Sequence, residues 1–233
     1  MQQLIRLSGL VAIFFIFSGC GSKPNQPAPG TSKTSSKKTE ATNEVVGDAT
    51  KGESDYLMCS TCHGENGEGI KALKAPALAG QESYNLKHQL ENFKNGNRPH
   101  ADDDNGALMA PIAKALSPEG IDNIIAYINT LPSPTIEPTL TGGNVEKGKS
   151  YYNMICGACH GSGAMGIEAL FSPKLVGLQD WYLEHQINNF REGIRGTAEG
   201  DVYGAQMHQI AVAIPDDETV MDLIAYINSL NAE

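Results

Sequence analysis

Cys59-Ser60-Thr61-Cys62-His63 and Cys156-Gly157-Ala158-Cys159-His160 stand 97 residues apart. The chain repeats itself around them. At the same offset Pro76, Leu86, His88, Gln89, Phe93 and Arg98 meet Pro173, Leu183, His185, Gln186, Phe190 and Arg195. Met109 meets Met207 at an offset of 98, and Ala126-Tyr127-Ile128-Asn129 meets Ala225-Tyr226-Ile227-Asn228 at 99. So little drift over so many positions marks a duplicated fold.

Each copy reads as helical. Ile121, Ile124, Ile125, Ile128 and Leu131 recur at helical spacing, and Val220, Leu223, Ile224, Ile227 and Leu230 repeat that stripe. Ser117 before Pro118 suits a helix start, and Asp216 takes the cap role in the second copy. A middle helix carries Leu86, Leu90 and Phe93, matched by Leu183, Ile187 and Phe190. A third helix leads into each Cys-x-x-Cys-His. No stretch alternates with the strand period. The expected architecture is all-α, two tandem domains over residues 51–131 and 145–233, joined by a proline-rich connector over 132–144. Aromatic residues are only 6% of the 233. A core of about 80 residues is marginal alone, so a bound group is expected to complete each one.

Two thiols three positions apart followed by His form the attachment pattern for haem c. Cys59 and Cys62, then Cys156 and Cys159, would each form two thioethers, with His63 and His160 as proximal iron ligands. A redox dithiol would need a strand–helix–strand setting, which is absent. One zinc on four thiols would leave both His unexplained. A sixth iron ligand should be a sulfur or an imidazole at matched places in both copies. Of seven Met, Met109 and Met207 meet that condition, 46 and 47 residues after their His. Met58 and Met154 sit beside the attachment Cys, and Met165 and Met221 have no counterpart. His208 is a weak rival beside Met207, and His100 has no clean match. His88 and His185 fall about 200° from the apolar stripe, which predicts a surface position. Pro76 and Pro173 each follow their His by 13 residues. Their carbonyls are candidate acceptors for the imidazole N–H.

The N-terminus reads as an address. Arg6 precedes an apolar run from Leu7 to Phe17, too short to span a bilayer. Phe17-Ser18-Gly19-Cys20 resembles a bacterial lipobox, which makes residues 1–19 a lipoprotein signal peptide and Cys20 a lipidation site. An uncleaved anchor and ordinary cleavage are the alternatives, and each exports the body. Residues 20–50 lack the apolar content to fold and read as a disordered tether, reaching about 30 Å. Seventeen basic against 27 acidic residues give a net charge of −10. That balance argues against nucleic acid as a partner. Residues 51–131 carry net −4 and 145–233 net −7, with the densest acidic runs at Asp102-Asp103-Asp104 and Asp216-Asp217-Glu218.

The haem strings, with Pro76-Ala77-Leu78-Ala79-Gly80-Gln81 and Gln89 to Arg98, resemble the class I cytochrome c family and more closely the dihaem cytochromes of the c4 type. Pro173-Lys174-Leu175-Val176-Gly177 and Gln186 to Gly193 carry the likeness into the second half. The stretch from Trp181 to Met207 is also similar to cytochrome domains fused to terminal-oxidase subunit II. The resemblance implies two His/Met haem c groups, Cys59, Cys62, His63 and Met109 with Pro76 in one half, Cys156, Cys159, His160 and Met207 with Pro173 in the other. It implies outer-sphere electron transfer from a membrane quinol-oxidising donor to a terminal oxidase or reductase on the periplasmic side. A thiosulfate dehydrogenase-like or peroxidase-like dihaem oxidoreductase, and a fixed haem subunit of a larger complex, are the alternatives.

Overall fold

A computed structural model describes residues 47–98 and 103–232. The signal segment, Cys20, the tether up to residue 46, His100 and Asp102 lie outside the described residues. The first half holds α1 (Ala49–His63), α2 (Ser83–Asn95), α3 (Asp104–Ala115) and α4 (Pro118–Ile128). In the second half α5 (Val145–Tyr151) runs through one π-helical turn, Tyr152–Cys156, into α6 (Gly157–His160). Then come α7 (Asp180–Arg191), α8 (Val202–Val212) and α9 (Asp217–Ser229). Among the described residues no strand forms, and two isolated antiparallel bridges, Ile70 to Ala75 and Ile167 to Ser172, pinch matching loops. All the described residues fall in one compact unit.

Local chemistry explains the helix limits. Ser117 Oγ accepts the Gly120 N–H at 3.0 Å, and Asp216 Oδ1 accepts the Thr219 N–H at 2.8 Å. Asp48 and Asn144 cap α1 and α5 in the same way. The helix α1 begins at Ala49, two residues ahead of the domain start read from the sequence. The stripes on α4 and α9 are buried as their spacing requires: Ile121, Ile124, Ile125 and Ile128 in one, Val220, Leu223, Ile224 and Ile227 in the other.

The first and last helices of each half cross at a glycine. A Cβ on Gly52 would lie 1.9 Å from the Asn123 carbonyl oxygen, and one on Gly148 would lie 1.8 Å from that of Asp222. Side chains lock the crossing, with the Asp48 N–H donating to Asn123 Oδ1 at 2.7 Å and the Asn144 N–H to Asp222 Oδ1 at 2.5 Å. The connector is tied down as well. Buried Asp180, the first residue of α7, accepts the Thr139 hydroxyl at 2.8 Å and the Leu140 N–H at 2.6 Å.

Candidate functional site

Each Cys-x-x-Cys-His closes an N-terminal helix, so backbone geometry alone places two thiols and an imidazole along one helical turn. Gly64 and Gly161 then turn the chain away at positive φ, 85° and 79°. Tyr56 and Tyr152 donate their hydroxyls to those glycine carbonyls at 2.9 and 2.8 Å. The sequence-derived acceptors are in place. His63 Nδ1 lies 2.7 Å from Pro76 O, and His160 Nδ1 lies 2.8 Å from Pro173 O. A carbonyl only accepts, so the proton sits on Nδ1 and Nε2 keeps its lone pair. Burial lowers the pKa of both imidazoles, against the raising effect of those bonds. Both rings are therefore held neutral, the form that binds iron.

Met109 and Met207 stand six residues beyond Asp103 and Asp201, at the same register of α3 and α8. One cavity of about 380 Å³ is lined by both Cys-x-x-Cys-His strings and by both of these methionines. It runs through the two halves. Met154 and Met165 are exposed and do not line it, while Met58 lies at its edge, about half exposed. His208, the rival beside Met207, is not among the residues that line this cavity, and its Nδ1 lies 2.5 Å from the Phe190 carbonyl. Among the described residues no group of three or more His, Cys, Asp or Glu is arranged to hold a metal ion. Burial pushes the Cys59 thiol up to about 11 and Cys156 up to about 12. Such thiols are not the low-pKa thiolates of a redox dithiol.

Four polar side chains at the join between the halves carry a role that sequence reasoning missed. Arg98 reaches Gln89 Oε1 in its own half and Gln186 Oε1 in the other, both at 3.3 Å. Arg195 reaches Gln186 at 2.5 Å and Gln89 at 3.2 Å. The guanidinium groups stack over Phe93 and Phe190, 4.0 and 4.3 Å from the ring centres. Both arginines are buried, both line the cavity, and both Nε atoms lack a partner. Burial, then the nearby Arg98 charge, lowers the pKa of Arg195. Unpaired guanidinium donors in an apolar cavity call for an acceptor. The carboxylate substituents of a haem meet that demand, so the residues present fit the group on the iron side and on the carboxylate side alike.

Two expectations about the surface need correction. His88 and His185 are half-buried at the join. His88 packs against Phe171 and Tyr203, 5.4 and 5.6 Å between ring centres, and His185 faces Asn105 and Asp103. The helical wheel showed only which face one domain buries, and the second domain covers the other face. Asp103, inside one of the two densest acidic runs, is 1% exposed and pairs with Arg98 at 3.3 Å. The Asp216-Asp217-Glu218 run does stay at the surface.

The comparisons with known proteins agree with this geometry. The family model described as Cytochrome c matches twice, over residues 49–132 and 145–231. The thiosulfate dehydrogenase electron acceptor of Stutzerimonas stutzeri is 34% identical over 171 residues, 70% of this chain and 74% of that protein. Cytochrome c4 of Azotobacter vinelandii is 29% identical over 201 residues, 80% of this chain and 91% of that one. The crystal structure of reduced cytochrome c4 from Pseudomonas stutzeri superposes with a TM-score of 0.59 at 27% identity, covering 78% of this chain and 97% of that chain. Two tandem domains of this kind, each with its attachment string, imply two covalently bound haem c groups. The chain belongs to the cytochrome c family, as a dihaem class I electron carrier close to cytochrome c4.

Proposed function

We propose that the chain relays electrons from a membrane quinol-oxidising donor to a terminal oxidase or reductase, on the periplasmic side of a bacterial membrane to which lipidated Cys20 tethers it. The supporting observation is the single cavity that gathers one tied imidazole and one methionine from each half. In this reading Cys59, Cys62, Cys156 and Cys159 hold the two haems. His63 and Met109 close one iron, and His160 and Met207 close the other. When bound, the haem supplies a one-electron iron couple. The rest is the work of the chain. Pro76 and Pro173 fix the imidazole tautomer and orientation. The methionine sulfurs raise the potential relative to harder ligands. With both iron faces taken by protein donors no substrate position remains, which argues against catalysis. Among the described residues no helix is long and apolar enough to cross a membrane. Net negative charge in both halves steers the molecule to a cationic partner, with rates that fall as salt rises.

A second reading keeps the relay and changes the donor to a thiosulfate-oxidising enzyme. The 34% identical electron acceptor favours it. Stopped-flow reduction of the holoprotein separates the readings. Rapid, salt-sensitive reduction of both haems by quinol with its oxidising complex supports the first. Reduction only by thiosulfate with thiosulfate dehydrogenase replaces the donor. Oxidation of thiosulfate by the chain alone overturns the carrier assignment.

A further inference from the structure

Gln179 sits at the N-cap of α7 in the second half, yet its amide serves the first. Its Oε1 accepts the Ala77 N–H at 3.0 Å, and its Nε2 donates to the Glu68 carbonyl at 2.9 Å. Gly69, at φ 81°, leaves the room, since a Cβ there would lie 2.7 Å from Gln179 Nε2 and 2.5 Å from the Ala77 nitrogen. The Ala77 N–H and the Pro76 carbonyl are two ends of one peptide group. That carbonyl accepts from His63 Nδ1 at 2.7 Å. The Gln179 carbonyl, this peptide and the imidazole thus form an unbroken series of hydrogen bonds across the join.

Bonds in series polarise one another. Drawing on the Ala77 N–H moves electron density to the Pro76 oxygen. That oxygen then pulls harder on the Nδ1 proton and makes the ring a more basic ligand. A more basic ligand favours oxidised iron. We propose that Gln179 is a positioning residue through which the second half lowers the reduction potential of the first-half centre, acting along the Pro76–Ala77 peptide.

This inference rests on His63 being an iron ligand. Another contact across the join stays outside this series. Tyr84 of the first half donates its hydroxyl to the Ser172 carbonyl at 2.8 Å. The Ser172–Pro173 peptide has no N–H, so it passes on no such polarisation. Tyr84→Phe therefore loosens the join without touching the series that ends on His63.

The test is a redox titration of the full-length holoprotein that resolves both centres. The methionine methyl signals of the reduced protein tell them apart, assigned with Met109→Ala and Met207→Ala. Gln179→Leu should shift the first-centre reduction equilibrium about three- to tenfold toward the reduced form, a tenfold change being about 59 mV for one electron. The second centre should not move. Gln179→Glu keeps an acceptor for the Ala77 N–H and strengthens it by charge, so the first centre should return to the wild-type potential or fall below it. Tyr84→Phe should leave the first centre in place. An unmoved first centre in Gln179→Leu, equal shifts at both centres, or a Gln179→Glu variant that matches Gln179→Leu would overturn the proposal. Should Gln179→Leu fail to take up haem, Gln179→Glu decides alone, because a first-centre potential above wild type refutes the relay. Failure of the His63 assignment would show separately, as a wild-type protein without two six-coordinate low-spin haems.

Discussion

Met109 and Met207 can each be tested by removing a single thioether. Met109→Ala should open one iron face and Met207→Ala the other. Each variant should then bind one equivalent of carbon monoxide rapidly in the reduced state, read by absorption, while the wild type binds little. That these cysteines, histidines, prolines and methionines gather around one cavity was legible in the sequence, because covalent and coordination chemistry fixes residue type and spacing together. Arg98, Arg195, Gln89 and Gln186 were visible only as matched positions in the repeat. Their bonds run between halves, and no periodicity within one half reports a partner in the other. Gln179 and Tyr84 were hidden for the same reason.

Among the elements, the crossing of first and last helices leaves no slack. Gly52→Ala must push Cβ into the Asn123 carbonyl, and Gly148→Ala into that of Asp222. Each should cost about 1–3 kcal/mol of unfolding free energy, as overpacking does. Denaturant unfolding of the holoprotein measures it. The terminal and middle helices of each half followed from apolar stripes and caps. The methionine helices α3 and α8 did not. Pro111 interrupts the reading of α3, and α8 is apolar on too many sides to show a stripe. Asp201 nevertheless caps α8, accepting the Gly204 N–H at 2.9 Å. Loss of that cap in Asp201→Ala should destabilise the helix by about 1 kcal/mol, and weaken the hold on Met207. A faster entry of cyanide at the second centre would register that loss.

For the whole molecule, the join between halves makes acid a specific threat. Burial alone would raise the Asp103 pKa, but the His185 contact and the Arg98 and Arg195 charges outweigh it and hold the carboxyl down to about 2, against 3.8 ordinarily. A lowered folded-state value gives stability that is complete above about 4 and is lost as pH falls through about 2. The size is on the order of 2 kcal/mol. Asp103→Asn should therefore melt lower than wild type at pH 6, and the two curves should converge near pH 2. The tandem all-α plan was legible from the duplication itself. The way the halves meet was not, since His88 and His185 looked like surface residues until a second domain covered them.

The central claim is that both irons are closed between His and Met. The near-infrared absorption of the oxidised holoprotein tests it most directly. The account predicts a sulfur-to-iron charge-transfer band with the intensity of two centres per chain, halved in Met109→Ala and halved in Met207→Ala. A wild-type band worth one centre, or a high-spin signature from either haem, would contradict it.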